Sequence, residues 1–166
     1  MAPIIRSIKE AFAFMGEHGI WRSLHRKDAP WMIQFGKYGM CGVVAVIVQN
    51  LVFLACATTI FPCLDQTMPE WDRAYNWLYC NLVGFVFANV VTYFTNLMFV
   101  FTGGRHSRWK EFWLFTAVSF GSNVPALALG FTAIINKQST PFAQVLFVVV
   151  AAMVNFLCRK FLVFKG

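Results

Sequence analysis

The sequence predicts an all-α integral membrane protein: four transmembrane helices arranged as two hairpin repeats, preceded by an amphipathic helix lying at the membrane surface. Three observations predict it. Four apolar runs, Tyr38–Phe61, Trp77–Phe101, Phe112–Ile135 and Phe142–Phe164, fill most of the chain between short polar hinges. At about 23–25 residues, each run can cross a ~30 Å hydrocarbon core with some tilt. The runs are apolar on nearly every face, whereas a soluble bundle needs polar faces at helical spacing. Backbone groups in lipid must be satisfied within the chain, so runs of this length are expected to be helices. Finally, the basic residues are sorted by side. Of the 14 Lys and Arg, all but Arg73 and Lys137 fall before the first run, between the second and third, or at the end of the fourth. The positive-inside rule then places both termini in the cytoplasm. The net charge of +7 is thus explained by topology, and no nucleic-acid partner is expected.

The chain divides into a cytoplasmic segment, 1–33, and a membrane domain, 34–166. In residues 3–18, Ile4, Ile5, Ile8, Phe12 and Met15 recur at helical spacing, with Arg6, Lys9, Glu10 and Glu17 between them. This predicts a helix on the cytoplasmic leaflet. Arg6 and Lys9 precede no apolar signal core with a small-residue cleavage site, so no signal peptide is expected. Gly16, Gly19 and the stretch Asp28-Ala29-Pro30 break helical order before the first span.

The first span carries Gly36, Gly39, Gly42 and the pair Gln49-Asn50 near mid-depth. The hinge after it is acidic and aromatic, with Asp65, Glu70, Trp71, Asp72 and Tyr75, then Trp77 and Tyr79. Trp77 and Tyr79 read as an interfacial belt. Trp71 or Tyr75 would serve equally as a belt or as a sugar-stacking platform. The second span carries Asn81, Asn89 and Asn96, which return to within roughly 80° and 20° of one direction and so share a side. The third has Ser119, Ser122, Asn123 and a potentially kinking Pro125; the fourth has Gln144 and Asn155. The end of span two, Tyr93 to Phe101, is echoed by the end of span four, Phe156 to Phe164. Each hairpin starts and ends on the cytoplasmic side, so the repeats are parallel in topology.

No Asp or Glu lies inside a span, which argues against a proton-coupled exporter or an acid-lined cation channel. His18, His25 and His106 lie in flanks, and no nucleophile and base are spaced for catalysis, so no enzyme, cofactor or metal site is expected. The five cysteines form no C-x-x-C; Cys63 and Cys80 fall near the outer face, where a bridge and inert packing are both open readings. The chemistry of the spans is carried by amides. Gln49, Asn50, Asn89, Asn96, Asn123 and Asn155 are distributed from leaflet to leaflet and read either as a polar path or as interhelical hydrogen-bonding groups. At the cytoplasmic mouth, Lys37, Arg105, Arg159 and Lys160 would hold a phosphate or snorkel to head groups. Close helix approach at Gly36, Gly39, Gly42 and Gly84 suits packing within one subunit or between copies, and a homodimer or larger assembly is expected.

Over residues 34–165 the chain resembles the GtrA-like family of small four-helix bacterial membrane proteins. The resemblance rests on Phe35-x-x-Tyr38, on Asn96 followed by Val100-Phe101, and on Asn155-Phe156, Arg159-Lys160 and Val163-Phe164. The family often has a basic residue directly after the second-span Asn; here that position is Leu97, which leaves Lys160 as the better phosphate contact. The resemblance implies a flippase that moves polyprenyl-phosphate-linked monosaccharide from the cytoplasmic to the periplasmic leaflet of the bacterial inner membrane, for glycosylation of cell-surface polysaccharide. Its partners would be that lipid-linked sugar, membrane lipids and, in an alternative reading, a polyprenyl-phosphate glycosyltransferase for which the chain is a non-transporting anchor.

Overall fold

A computed structural model describes residues 30–99 and 107–162, with the backbone alone at 31 and 155–162, and the positions 9–11, 13, 14, 16, 19 and 26. Four long helices follow one another: α1 (Trp31–Thr59), α2 (Glu70–Phe99), α3 (Arg108–Ile135) and α4 (Thr140–Leu162). Among the described residues no strand occurs. By length and composition α1, α2 and α3 can each cross a membrane; the apolar stretch of α4 with described side chains, Thr140–Val154, is shorter. Of the N-terminal segment expected to be amphipathic, Lys9, Glu10, Ala11, Ala13, Phe14 and Gly16 are helical. Ile4, Ile5, Ile8, Phe12 and Met15 lie outside the described residues.

The helix limits follow local chemistry. α1 opens directly after Pro30, whose carbonyl accepts from the Ile33 and Gln34 amides. It ends at Thr59, three residues before Pro62, and the Ile60 and Phe61 amides both return to the Cys56 carbonyl. α2 starts after Pro69 with Glu70 and Asp72 in its first turn, where the helix dipole favours negative charge. Both helices begin seven residues ahead of their apolar runs: Trp31–Lys37 is apolar but interrupted by Gln34 and Lys37, and Glu70–Asn76 is largely polar. α3 follows Ser107 and continues through Pro125. It ends where Lys137 takes φ 64°, letting the Lys137 and Gln138 amides close on Ile134 and Ala133.

α1 packs along α2, α3 along α4, and α2 meets α3. The hinges at 60–69 and 136–139 share one end of the bundle: the Thr140 hydroxyl donates to the Cys63 carbonyl, and the Arg73 guanidinium reaches the Gln138 carbonyl at 3.3 Å. We call this the hinge end, and the opposite one, where the Tyr93 hydroxyl donates to the Arg108 carbonyl at 3.1 Å, the terminal end.

Trp77 corrects the sequence reading. It is not a belt residue but is fully buried at the centre of the bundle. Gly130 of α3 makes room for it; a Cβ there would lie 2.3 Å from the indole ring. Phe147 of α4 meets the same ring edge-on, centroids 5.9 Å apart. Tyr79 is exposed, as a belt residue should be. Elsewhere the outward surface is apolar, with Val43, Ile47 and Leu51 exposed on α1, Phe87 and Phe94 on α2, and Leu114 and Val118 on α3. Such a surface suits lipid.

Candidate functional site

The amides of the spans fall into two groups that differ in how they are satisfied. The first is a knot joining α1, α2 and α4. Asn81 stands 11 residues into α2, about 16 Å along the axis from the hinge end, and is fully buried. Its Nδ2 donates to Gln144 Oε1 at 3.1 Å and to the Trp77 carbonyl at 3.0 Å. Gln49 Nε2 donates to the Asn81 carbonyl at 3.1 Å and to Asn81 Oδ1 at 3.3 Å. Gln144 Nε2 in turn donates to Asn50 Oδ1 at 3.1 Å and to Asn81 Oδ1 at 3.3 Å, while Gln144 Oε1 also accepts from the Trp77 indole at 2.9 Å. Gly84 permits the approach of α1, since a Cβ there would stand 2.9 Å from Gln49 Nε2. The side-chain amides of Asn81 and Gln144 and the Trp77 indole thus find partners in a place where lipid would supply none.

Below the knot the pattern changes. Asn89, Tyr93 and Asn96 follow one another at helical spacing on one side of α2, and all three are buried. Asn89 Nδ2 donates to Thr116 Oγ1 at 2.8 Å, and that hydroxyl donates to the Phe112 carbonyl, so Asn89 Oδ1 is left buried without a partner. Tyr93 fits its ring between Phe112 and Phe115, with centroids 5.1 and 5.8 Å away. Asn96 is 2% exposed, and neither its Nδ2 nor its Oδ1 has a partner. A buried amide with no hydrogen bond costs roughly 1–3 kcal/mol. Two such losses stand within two turns of each other, about 28 and 39 Å from the hinge end.

Gln49 and Asn50 therefore belong to the knot, and Asn89 and Asn96 to the open pair. Asn123 serves neither: its Nδ2 bonds the Ser119 carbonyl of its own helix at 2.9 Å. Lys37 is buried, and its ammonium donates to the Arg26 carbonyl at 2.7 Å. The side chains of Asn155, Arg159 and Lys160 lie outside the described residues, as does Arg105 entirely. The row of amides is thus not continuous among the described residues. The groove they do line, about 270 Å³, opens between α1 and α4 beside Asn50, Gln144, Val145, Val148 and Val149.

The family model for the GtrA/DPMS transmembrane domain matches residues 37–164. The chain belongs to this family. Comparison with curated proteins and with solved structures found no match. Within the GtrA/DPMS domain, the apolar helices make the chain a multi-pass membrane protein.

Several residues of the GtrA/DPMS domain carry polar interactions that the path expected from sequence left out. Asn81 and Gln144 form the centre of the knot, and Thr116 is the partner of Asn89. Asn81 had a readable signal, since it shares a side of α2 with Asn89 and Asn96; Thr116 had none. Arg73 is buried at the hinge end, with Nη1 on Gln66 Oε1 at 2.6 Å, Nη2 on the Gln138 carbonyl and Nε unpaired. It holds the two hinges together. Trp71 and Tyr75 are exposed and meet the Phe131 ring edge-on, Tyr75 at 5.4 Å and Trp71 at 6.2 Å between centroids.

Proposed function

We propose that this protein is a flippase carrying polyprenyl-phosphate-linked monosaccharide from the cytoplasmic to the periplasmic leaflet of the bacterial inner membrane, for glycosylation of cell-surface polysaccharide. Membership of the GtrA/DPMS family supports the connection to polyprenyl-phosphate sugars. The observation that carries the transport reading is the buried amide atoms without a partner inside the bundle: Asn89 Oδ1, and both Nδ2 and Oδ1 of Asn96. With the terminal end in the cytoplasm, a placement the distribution of basic residues supports, they lie in the cytoplasmic half. A phosphate or sugar hydroxyl arriving there meets donors and acceptors whose desolvation has already been met. Lys160 and Arg159, with Lys37 and Arg105, would draw the phosphate to that mouth. The prenyl tail stays in lipid throughout. The knot closes the periplasmic half, so outward passage requires its hydrogen bonds to exchange from one another to the head group.

Transfer is read in liposomes containing the purified protein and a labelled polyprenyl-phosphate hexose. Outward transfer is expected with the wild-type chain, and a loss on the order of tenfold in Asn89→Leu and in Lys160→Leu, as removal of one hydrogen bond implies, from a sugar hydroxyl to Asn89 Oδ1 in the first and from the ammonium to the phosphate in the second. Transfer unchanged in both variants would falsify the path.

The knot favours a second reading, because it satisfies the bundle without any ligand. The chain would then be a non-catalytic anchor for a polyprenyl-phosphate glycosyltransferase. Stoichiometric co-purification of a soluble enzyme, with no transfer by the chain alone, would decide for it. In either role we read the chain as a homodimer or larger assembly. Gly84 is used within the subunit, whereas a Cβ at Gly36, Gly39 or Gly42 would touch nothing among the described residues, and we read that stretch of α1 as the seat of a second copy.

A further inference from the structure

The hinge end holds a pair of thiols that neither transport nor anchoring uses. Cys63, in the first hinge, and Cys80, in α2, are both fully buried. Three contacts bring them together. Cys80 Sγ donates to the Phe61 carbonyl at 3.5 Å, two residues before Cys63. Asn76 Nδ2 holds the Pro62 carbonyl at 2.8 Å. The Thr140 hydroxyl closes over the Cys63 carbonyl from α4. The hinge is thus pressed against α2, which sets Cys63 beside Cys80. The neighbouring Cys80 thiol, with the positive charge of Arg73, holds the Cys63 thiol below its ordinary pKa although burial acts the other way. Cys56, the nearest cysteine on α1, is likewise buried and free.

We propose that Cys63 and Cys80 form a redox pair that closes into an intramolecular disulfide, tying the first hinge to α2 beside the amide knot. The inference uses only the outward placement of the hinge end from the reading above and is independent of transport. The oxidant is an external disulfide, carried by a protein or a small thiol. The Cys63 thiolate attacks one of its sulfurs and releases the other as a thiol, leaving a mixed disulfide on Cys63. Cys80 then attacks Cys63 Sγ, giving up its proton to the second leaving thiol. Two electrons pass from the pair to the oxidant, and two external thiols are released. Both sulfurs are closed to solvent in the docked hinge, so exchange takes place with the hinge lifted, and the finished bridge is shielded from reductants.

The test traps thiols in membranes from cells expressing the full chain, using N-ethylmaleimide in detergent, and follows with peptide mass spectrometry. A second sample of purified, reduced chain is treated with glutathione disulfide. A Cys63–Cys80 linked peptide is expected in both, removed by dithiothreitol and absent from Cys63→Ser and Cys80→Ser. The two single variants should instead retain a glutathione adduct on the remaining cysteine under the same treatment. A linked peptide in the purified sample but free thiols in membranes upholds the pairing and overturns the outward placement of the hinge. Free thiols or separate glutathione adducts in both samples overturn the pairing.

Discussion

At the scale of single residues, the two groups of amides make opposite predictions. Replacing Asn81 by Leu removes the side chain that Gln49 and Gln144 share, leaving Gln49 only the main-chain carbonyl of residue 81 and Gln144 only Asn50 and Trp77. A loss of about 1–2 kcal/mol is expected, seen as a lower midpoint of thermal unfolding in detergent. Asn96 makes no hydrogen bond, so Asn96→Leu removes a cost and should raise the same midpoint while outward transfer falls. The combination separates function from packing, because a residue present only for structure would lose both together or neither. A less stable Asn96→Leu protein with full transfer would refute the role given to the open pair. The periodicity of α2 puts Asn81, Asn89 and Asn96 on one side, and that was readable from the sequence. Which of them are paired depends on Gln49, Gln144 and Thr116, residues far away in the chain whose register no spacing within α2 encodes.

At the scale of elements, the helices were legible where hydrophobicity reports on lipid and illegible beyond it. The apolar runs locate all four, but α1 and α2 begin seven residues earlier: Trp31–Lys37 is apolar but interrupted by Gln34 and Lys37, and Glu70–Asn76 is helical without being oily. Trp77 stands at that junction. Its place in the run suits a head-group belt, and only Gly130, more than fifty residues away, opens the slot that draws it inward. A tryptophan and a glycine on different helices carry no joint signal in one sequence. The slot makes a direct prediction. In Gly130→Ala the new methyl meets a rigid ring pinned by Phe147 and by the bond to Gln144, so α2 and α3 must separate. Overpacking of this kind costs about 1–3 kcal/mol. Unfolding in detergent should show the loss, and Trp77→Phe in the same chain should recover part of it by shortening the ring. If Gly130→Ala is as stable as the wild type, the α2–α3 contact at this level is looser than the packing requires.

At the scale of the whole molecule, the amides divide the bundle into a sealed half and a half with unmet hydrogen bonds, and that division bears on energy coupling. No carboxylate lies within the apolar runs, so a proton carried by such a group is not available to drive the cycle. A polyprenyl-phosphate sugar bears one negative charge on its phosphodiester. Carried outward across a membrane that is negative inside, it gains about 2.3 kcal/mol per 100 mV. If the head group crosses with its charge uncompensated, each 100 mV imposed on liposomes by a potassium gradient and valinomycin should change the ratio of labelled lipid between leaflets by about 50-fold. The shift should reverse with the sign of the potential. It is a property of the equilibrium, so Asn89→Leu should slow the approach without altering the final ratio. A final ratio indifferent to voltage would mean that a cation travels with the phosphate. The basic side chains at the terminal end would then be delivering a neutral pair into the open half of the bundle, and the gradient of that cation would replace the potential as the driving force.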